Sequence, residues 1–277
     1  MVFKFGYNGR RYDGFAFQNI DDPPKTVEMR ILEALRKVLN REDEELGTFH
    51  KDIALRSASR TDKGVSALGN VVSLETDKDP ADLARSLNAL VKDCFFWAYA
   101  KLDGDFKSRH ASSRWYRYHL PGDFEDHELR RMVNTAHLFF GEHDFKCFSK
   151  YDRSEPKKST VREILELDIN EKDGVVVIDI RADGFLWHMV RMIVWTLVKS
   201  ACEEISMTSI YNLLDEGVDD TGIGLSPAEP LVLMDVDYKD VHFTRLPDVK
   251  KDEMVKRMMS LKDELRFMDL SISKILD

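Results

Sequence analysis

Strands that pair as hairpins, with amphipathic helices between them, predict an α+β fold with a largely antiparallel sheet. Three stretches carry that reading. The opening run VFKFGY, Val2 to Tyr7, alternates like a strand and is followed by the turn pair Asn8-Gly9. Val161 to Ile169 and Val175 to Ala182 flank Lys172-Asp173-Gly174 as the arms of a hairpin. TVEMRILEALRKVLN, Thr26 to Asn40, sets Val27, Ile31, Leu35 and Val38 on one helical stripe.

The other elements follow in order. In SASRTDKGVSALGNVVSL, Ser57 to Leu74, the residues Asp62, Lys63 and Gly64 suit a turn, because Gly64 accepts positive φ without a Cβ clash. Asn70 to Leu74 then reads as half-buried strand. Asp79-Pro80 starts a helix, with Asp as cap and Pro in the first turn, that runs to about Val91. Cys94 to Ala100 is a buried strand and Trp115 to Leu120 another. Asp126 to Phe140 is a helix stopped by Gly141. Trp187 to Ala201 is a strongly apolar helix, Ser206 to Leu214 a short one, and Leu231 to Tyr238 a final strand. The tail after Asp248 carries Met254, Val255, Met258, Met259, Leu265, Phe267 and Met268 and reads as a helix whose apolar face needs a surface to cover. The same grammar appears twice. It predicts halves at residues 1–106 and 107–245 that share one sheet with a central cleft, and a helical tail at 246–277.

The 277 residues suffice for one large domain or two ordinary ones, and 43% hydrophobic with 33% charged residues allows a sizeable core in a soluble chain. No apolar run approaches a membrane span, and the N-terminus lacks the apolar stretch of a signal peptide. Cys94, Cys147 and Cys202 are odd in number, widely separated and without CxxC. That argues against a disulfide framework or zinc knuckle, and a reducing cytoplasm is the simplest inference.

The net charge of −9 opposes nucleic-acid binding only until it is mapped. Ala201 to Asp240 holds ten acids and one base, so the remainder is neutral overall. Lys107 to His119 holds four bases and no acid, and Asp144 to Arg162 six bases against three acids. Fields are screened over about 8–10 Å, so local charge outweighs the total. A basic face opposite an acidic one competes with plain scattered, solvated charge.

Three constellations could carry chemistry. In Arg60-x-Asp62, a carboxylate acting as nucleophile must be ionised and held, and a nearby guanidinium does both. The competing reading is a turn aspartate bonded to its own backbone. In Arg114-Trp115-Tyr116-Arg117-Tyr118, a strand puts Arg114, Tyr116 and Tyr118 on one face and Trp115 and Arg117 on the other. That suits stacked bases and phosphates, or else a core aromatic beside a solvated arginine face. In DGFLWHMVRMIVWTLV, Asp183 to Val198, His188 and Arg191 lie three apart on one helix face. Arg191, among apolar neighbours, must snorkel or meet a buried carboxylate; His188 alone reads as a helix-start histidine. No P-loop, GxGxxG or HExxH occurs, and Gly64 to Gly69 lacks the GxSxG spacing. Asp235 and Asp237 read as a solvated strand edge. No metal or cofactor motif is present, and no nucleophile–base pair of a hydrolase.

Taken in order, these stretches resemble one family along nearly the whole chain. Arg60-Thr61-Asp62-Lys63-Gly64-Val65-Ser66-Ala67 resembles the catalytic loop of the pseudouridine synthases of the TruA family. Tyr7-Asn8-Gly9 and Phe15 to Gln18 resemble its opening strand and glutamine, and Ala111 to Tyr118 its Arg-Tyr-x-Tyr segment. Phe140 to Phe145 resembles its Gly-x-His-Asp-Phe block, Phe185 to Val194 its His-Met-Val-Arg helix, and Leu231 to Tyr238 its last strand. Lys63 and Ser66 stand where many bacterial members carry Ala and His, which resembles the archaeal and eukaryotic branch. Trp195 and Pro230 each replace a common Gly.

The resemblance implies isomerisation of uridine to pseudouridine in the anticodon stem-loop of tRNA, at family positions 38, 39 and/or 40, with no cofactor and no metal. It implies Asp62 as nucleophile, Tyr116 stacked on the flipped uracil, and Arg191 paired with Asp62. Arg60 would enter the RNA stem, and Lys63, Arg109, Arg114, Lys150 and His188 would bind the substrate. It further implies a homodimer in the cytoplasm, with no membrane partner, whose acidic stretch faces away from RNA. The competing class is a tRNA-binding or RNA-chaperone protein with a dead site, against which the intact Asp62, Tyr116 and Arg191 speak.

Overall fold

The computed structural model describes residues 1–102, 106–150, 159–172, 174–215 and 222–247. Along the chain run β1 (Val2–Tyr7), α1 (Val27–Val38), α2 (Leu46–Asp52), β2 (Arg56–Ser57), β3 (Ser66–Ser73), α3 (Pro80–Leu90) and β4 (Cys94–Ala100). There follow β5 (Ser113–Pro121), α4 (Asp126–Ala136), β6 (Gly141–Asp144), β7 (Val161–Lys172), β8 (Val175–Ala182), α5 (Met189–Ala201), α6 (Met207–Asp215), β9 (Leu231–Asp237) and β10 (Thr244–Arg245). The fold is α+β with largely antiparallel strands, as the hairpin pattern predicts. The expected tail helix after Asp248 lies outside the described residues. The chain forms two compact units, one of Met1–Ser112 with residues 232–247, the other of Ser113–Leu231.

The first unit orders its strands β10-β4-β1-β3-β9, with β2 also on β3. Its pairs are antiparallel except β3 with β9, which is parallel with Ser66 opposite Val232 and Ala67 opposite Leu233. Local chemistry starts its helices. The Thr26 hydroxyl accepts from Met29 N at 3.3 Å ahead of α1. The Asp79 carboxylate accepts from Ala81 N and Asp82 N ahead of α3, with Pro80 in the first turn. Phe3, Phe5 and Tyr7 of β1 are fully buried, and Phe5 stacks on Phe96 with centroids 5.3 Å apart. Each such ring contributes about 2 kcal/mol of burial.

The opposite face of β1 is also covered. Lys4 is only 7% exposed, its ammonium paired with Asp235 and set 5.1 Å from the Phe243 ring and 5.7 Å from that of Trp97. Asp235 is thus no solvated edge acid. Burial pushes its carboxyl up, and the Lys4 ammonium opposes that.

The second unit orders its strands β5-β8-β7-β6, all antiparallel, with Tyr116 opposite Ile180 and Tyr118 opposite Ile178. In β8 every second residue, Val176, Ile178, Ile180 and Ala182, is buried. Tyr116 and Tyr118 are buried, while Trp115 and Arg117 meet on the Asp179 carboxylate, Arg117 with two bonds of 2.9 Å. Helix α5 is buried almost all round and joins α4 through Thr135 Oγ1 and Ser200 Oγ, 2.7 Å apart. Helix α4 ends at Ala136, and a 3-10 turn at His137–Phe139 completes the stretch expected to run to Phe140. Helix α5 starts at Met189, not Trp187, because His188 is left-handed at φ 67.

His119 on β5 faces the Pro230 carbonyl, with Nδ1 3.3 Å from it. Burial lowers its pKa below the ordinary 6.5 and Arg117 adds to that, while the carbonyl works against it. Below that ordinary value the folded state binds fewer protons than the unfolded chain, so stability rises with pH and is lost as pH falls. Replacing His119 with glutamine is expected to flatten the drop in thermal midpoint between about pH 7 and about pH 5, read by scanning calorimetry.

Candidate active site

Asp62 lies on the turn that enters β3. Gly64 has φ 88, and Val65 N donates to the Asp62 carbonyl at 3.2 Å, so the turn expected from Asp-Lys-Gly forms. The Asp62 side chain is half-buried, and Arg60 and Lys63 are exposed beside it.

The N-terminal segment grips this turn at four points. The Tyr7 hydroxyl meets Thr61 Oγ1 at 2.8 Å, and Gly9 N donates to Ser66 Oγ at 3.0 Å. Phe15 N donates to the Thr61 carbonyl at 3.1 Å, and Lys63 Nζ donates to Asp13 Oδ1 at 2.7 Å. The last contact lowers the Asp13 pKa and raises that of Lys63. Lys63, expected on substrate, is therefore already held by a carboxylate.

Gly9 lies so close to the turn that a Cβ there would come within 1.9 Å of the Val65 carbonyl oxygen. Backbone cannot yield that far cheaply. Gly9→Ala is expected to lower stability by about 2 kcal/mol or more, measured by urea unfolding.

In the second unit, the segment 183–188 gathers four of the expected residues. Tyr116, 9% exposed, packs edge-on against Phe185 with centroids 5.2 Å apart. Arg114 Nη1 donates to the Asp183 carbonyl at 3.0 Å. Lys150 N donates to the Trp187 carbonyl at 3.1 Å and leaves its side chain exposed. His188 lies 4.6 Å from the Trp187 ring, which is 58% exposed. The shared helix face expected for His188 and Arg191 does not form, since His188 precedes α5 in a conformation that costs a non-glycine residue about 1–2 kcal/mol.

Arg191 is the third residue of α5, and its Nε donates to the Ser226 carbonyl at 2.7 Å. Ser226 N returns a bond to the Arg191 carbonyl at 3.3 Å, and the Tyr118 hydroxyl donates to the adjacent Pro227 carbonyl at 3.1 Å. Burial raises the Tyr118 hydroxyl well above its usual range, so it stays neutral. A cation in the first helical turn faces the positive end of the dipole, a placement relieved where an anion meets it. Trp195, on the same helix, lies directly against Gly224.

Comparison with known proteins decides the family. The model of a family described as tRNA pseudouridine synthase matches residues 135–239. A tRNA pseudouridine synthase A from Pyrococcus horikoshii is 35% identical over 246 residues, covering 88% of this chain and 86% of its own. This chain belongs to the tRNA pseudouridine synthase family. Relatives of the same name from Methanothrix thermoacetophila and Thermococcus gammatolerans are 36% and 38% identical, covering 94% and 84% of this chain and 90% and 84% of theirs.

As a pseudouridine synthase the chain is an isomerase. In this synthase Arg109 is exposed, with Nε 3.1 Å from His110 Nε2. Burial pushes the Cys94 thiol up to about 12, so it is no nucleophile. Among the described residues no group of three or more His, Cys, Asp or Glu could hold a metal ion, and no helix is long and apolar enough to cross a membrane. Sequence reasoning passed over Asp13, Phe185, Trp187 and Ser226. Each acts through a partner distant in the chain, and only the exposed Trp187 beside His188 left a local signal.

Proposed function

We propose that this synthase converts uridine to pseudouridine in the anticodon stem-loop of tRNA, with Asp62, Tyr116 and Arg191 as its catalytic residues. The observation that carries the reading is the Asp62 turn, a half-buried carboxylate on a backbone held from both sides. The N1–C1′ bond breaks, the uracil turns, and a C5–C1′ bond forms. The proton lost from C5 is balanced by one gained at N1, so no oxidant is consumed and no cofactor is needed.

The base must leave its stack first, at a cost of roughly a few kcal/mol. Tyr116 offers the everted ring a stacking face, and Arg60 fills the vacated space in the stem. Lys63, Arg109, Arg114, Lys150 and His188 contact the RNA, with Arg109, Arg114 and Lys150 offsetting the cost through phosphates. Arg191 supplies the guanidinium of the catalytic set, a group suited to orienting a carboxylate. The carboxylate acts at the sugar or the base. The reading extends to a homodimer in a reducing cytoplasm, in keeping with free cysteines at positions 94, 147 and 202.

The test is mapping of carbodiimide-treated tRNA transcripts after incubation with the protein. Alkali-resistant stops at uridines of the anticodon stem-loop are expected. Their absence from every transcript tried would reject the proposal, and stops elsewhere would reject its site specificity.

A further inference from the structure

We infer that Tyr7 is a positioning residue for the turn that bears Asp62, an inference that rests on the catalytic reading of Asp62 above. Thr61, the residue just before Asp62, is tied through two different groups. Its carbonyl accepts from Phe15 N at 3.1 Å, and its hydroxyl meets that of Tyr7 at 2.8 Å. Asn70 Nδ2 lies 3.4 Å from the same Tyr7 oxygen and donates to the Ser59 carbonyl at 2.9 Å. Tyr7 and Asn70 are fully buried and Thr61 nearly so.

A phenyl ring would fill the Tyr7 site equally well, between Phe5 and Phe15 at centroid distances of 5.6 and 5.8 Å. A buried hydroxyl is unfavourable unless bonded, so its presence points to the bond it makes. That bond ends one planar peptide away from Asp62. Fixing the carbonyl and side chain of Thr61 fixes the direction in which the chain enters Asp62. The Val65 N bond to the Asp62 carbonyl fixes the exit. A displacement of about 1 Å at a reacting group costs on the order of a hundredfold in rate, so a bond that sets this angle acts on turnover more than on binding.

Tyr7→Phe removes one oxygen and keeps the ring. Single-turnover conversion of a tRNA transcript is expected to fall about tenfold or more, with transcript affinity unchanged within about twofold. Thr61→Val should fall alike, and Thr61→Ser, which keeps the hydroxyl, should recover most of the rate. The Tyr7→Phe/Thr61→Val double variant should be no slower than the slower single, because each already removes the bond that Tyr7 and Thr61 share. Full turnover by Tyr7→Phe overturns the inference. So does a double variant whose losses multiply, or a Thr61→Ser no faster than Thr61→Val, since either marks general loosening. If Tyr7→Phe proves unstable, the two Thr61 variants decide the matter alone. Asp62→Ala in the same assay separates the two layers. Conversion by that variant brings down both, whereas an inert Asp62→Ala beside a full-rate Tyr7→Phe brings down only the role of Tyr7.

Discussion

Asp62→Ala is expected to bind a tRNA transcript as the unaltered protein does and to leave its uridines unconverted, with the rate down at least about a thousandfold. The contacts that hold the turn come from the Thr61 carbonyl and hydroxyl, the Asp62 carbonyl, Lys63 and Ser66. These contacts all remain when the Asp62 side chain is replaced, so they should keep the turn in place. The exposed cations proposed to meet phosphate are also untouched, so filter binding should report an affinity near that of the wild type. Asp62→Asn sharpens the result, because it keeps the shape and removes only the charge. Carbodiimide mapping of the bound transcript provides the readout, and pseudouridine made by either variant at a normal rate would remove Asp62 from the chemistry.

Arg191→Leu is expected to slow turnover by about a hundredfold, or roughly 2.7 kcal/mol of transition-state stabilisation. The guanidinium is oriented through its Nε bond to the Ser226 carbonyl. Met189, Val190 and Met192 around it are buried, so leucine should pack without unfolding α5. Arg191→Lys should recover only part of the rate, since an ammonium lacks the planar fork that grips a carboxylate. An unchanged single-turnover rate for Arg191→Leu would reduce the side chain to a packing role.

Much of the fold was legible because its signals are local. Asp79-Pro80 announces α3 through its own cap, Cys94 to Ala100 is apolar from end to end, and the β7–β8 hairpin is bounded by a turn sequence. The Asp62 turn was legible for the same reason, through Gly64. What the sequence concealed depends on distant partners. Lys4 in VFKFGY reads as a solvated residue until Asp235, 231 positions away, is brought beside it. Helix α2 buries only Phe49 and contains Gly47, so it carries no periodic stripe. The left-handed His188 shortens α5 from a position that looks helical in composition. The grip on the Asp62 turn involves Tyr7, Asp13 and Phe15, some fifty residues upstream, and no spacing rule points to it.

The parallel contact between β3 and β9 bears on how such a protein is made. The residues of β9 that pair with Ser66 and Ala67 are Val232 and Leu233, so they leave the ribosome only after all of Ser113–Leu231 has been synthesised. Until then the flank of β3 that opens out of the Asp62 turn lacks its last neighbour, and pairings this far apart in sequence close late. A nascent chain ending before Val232 carries the Asp62 turn without β9 beside β3, so this flank of the turn is finished only after the residues of the second unit have been made.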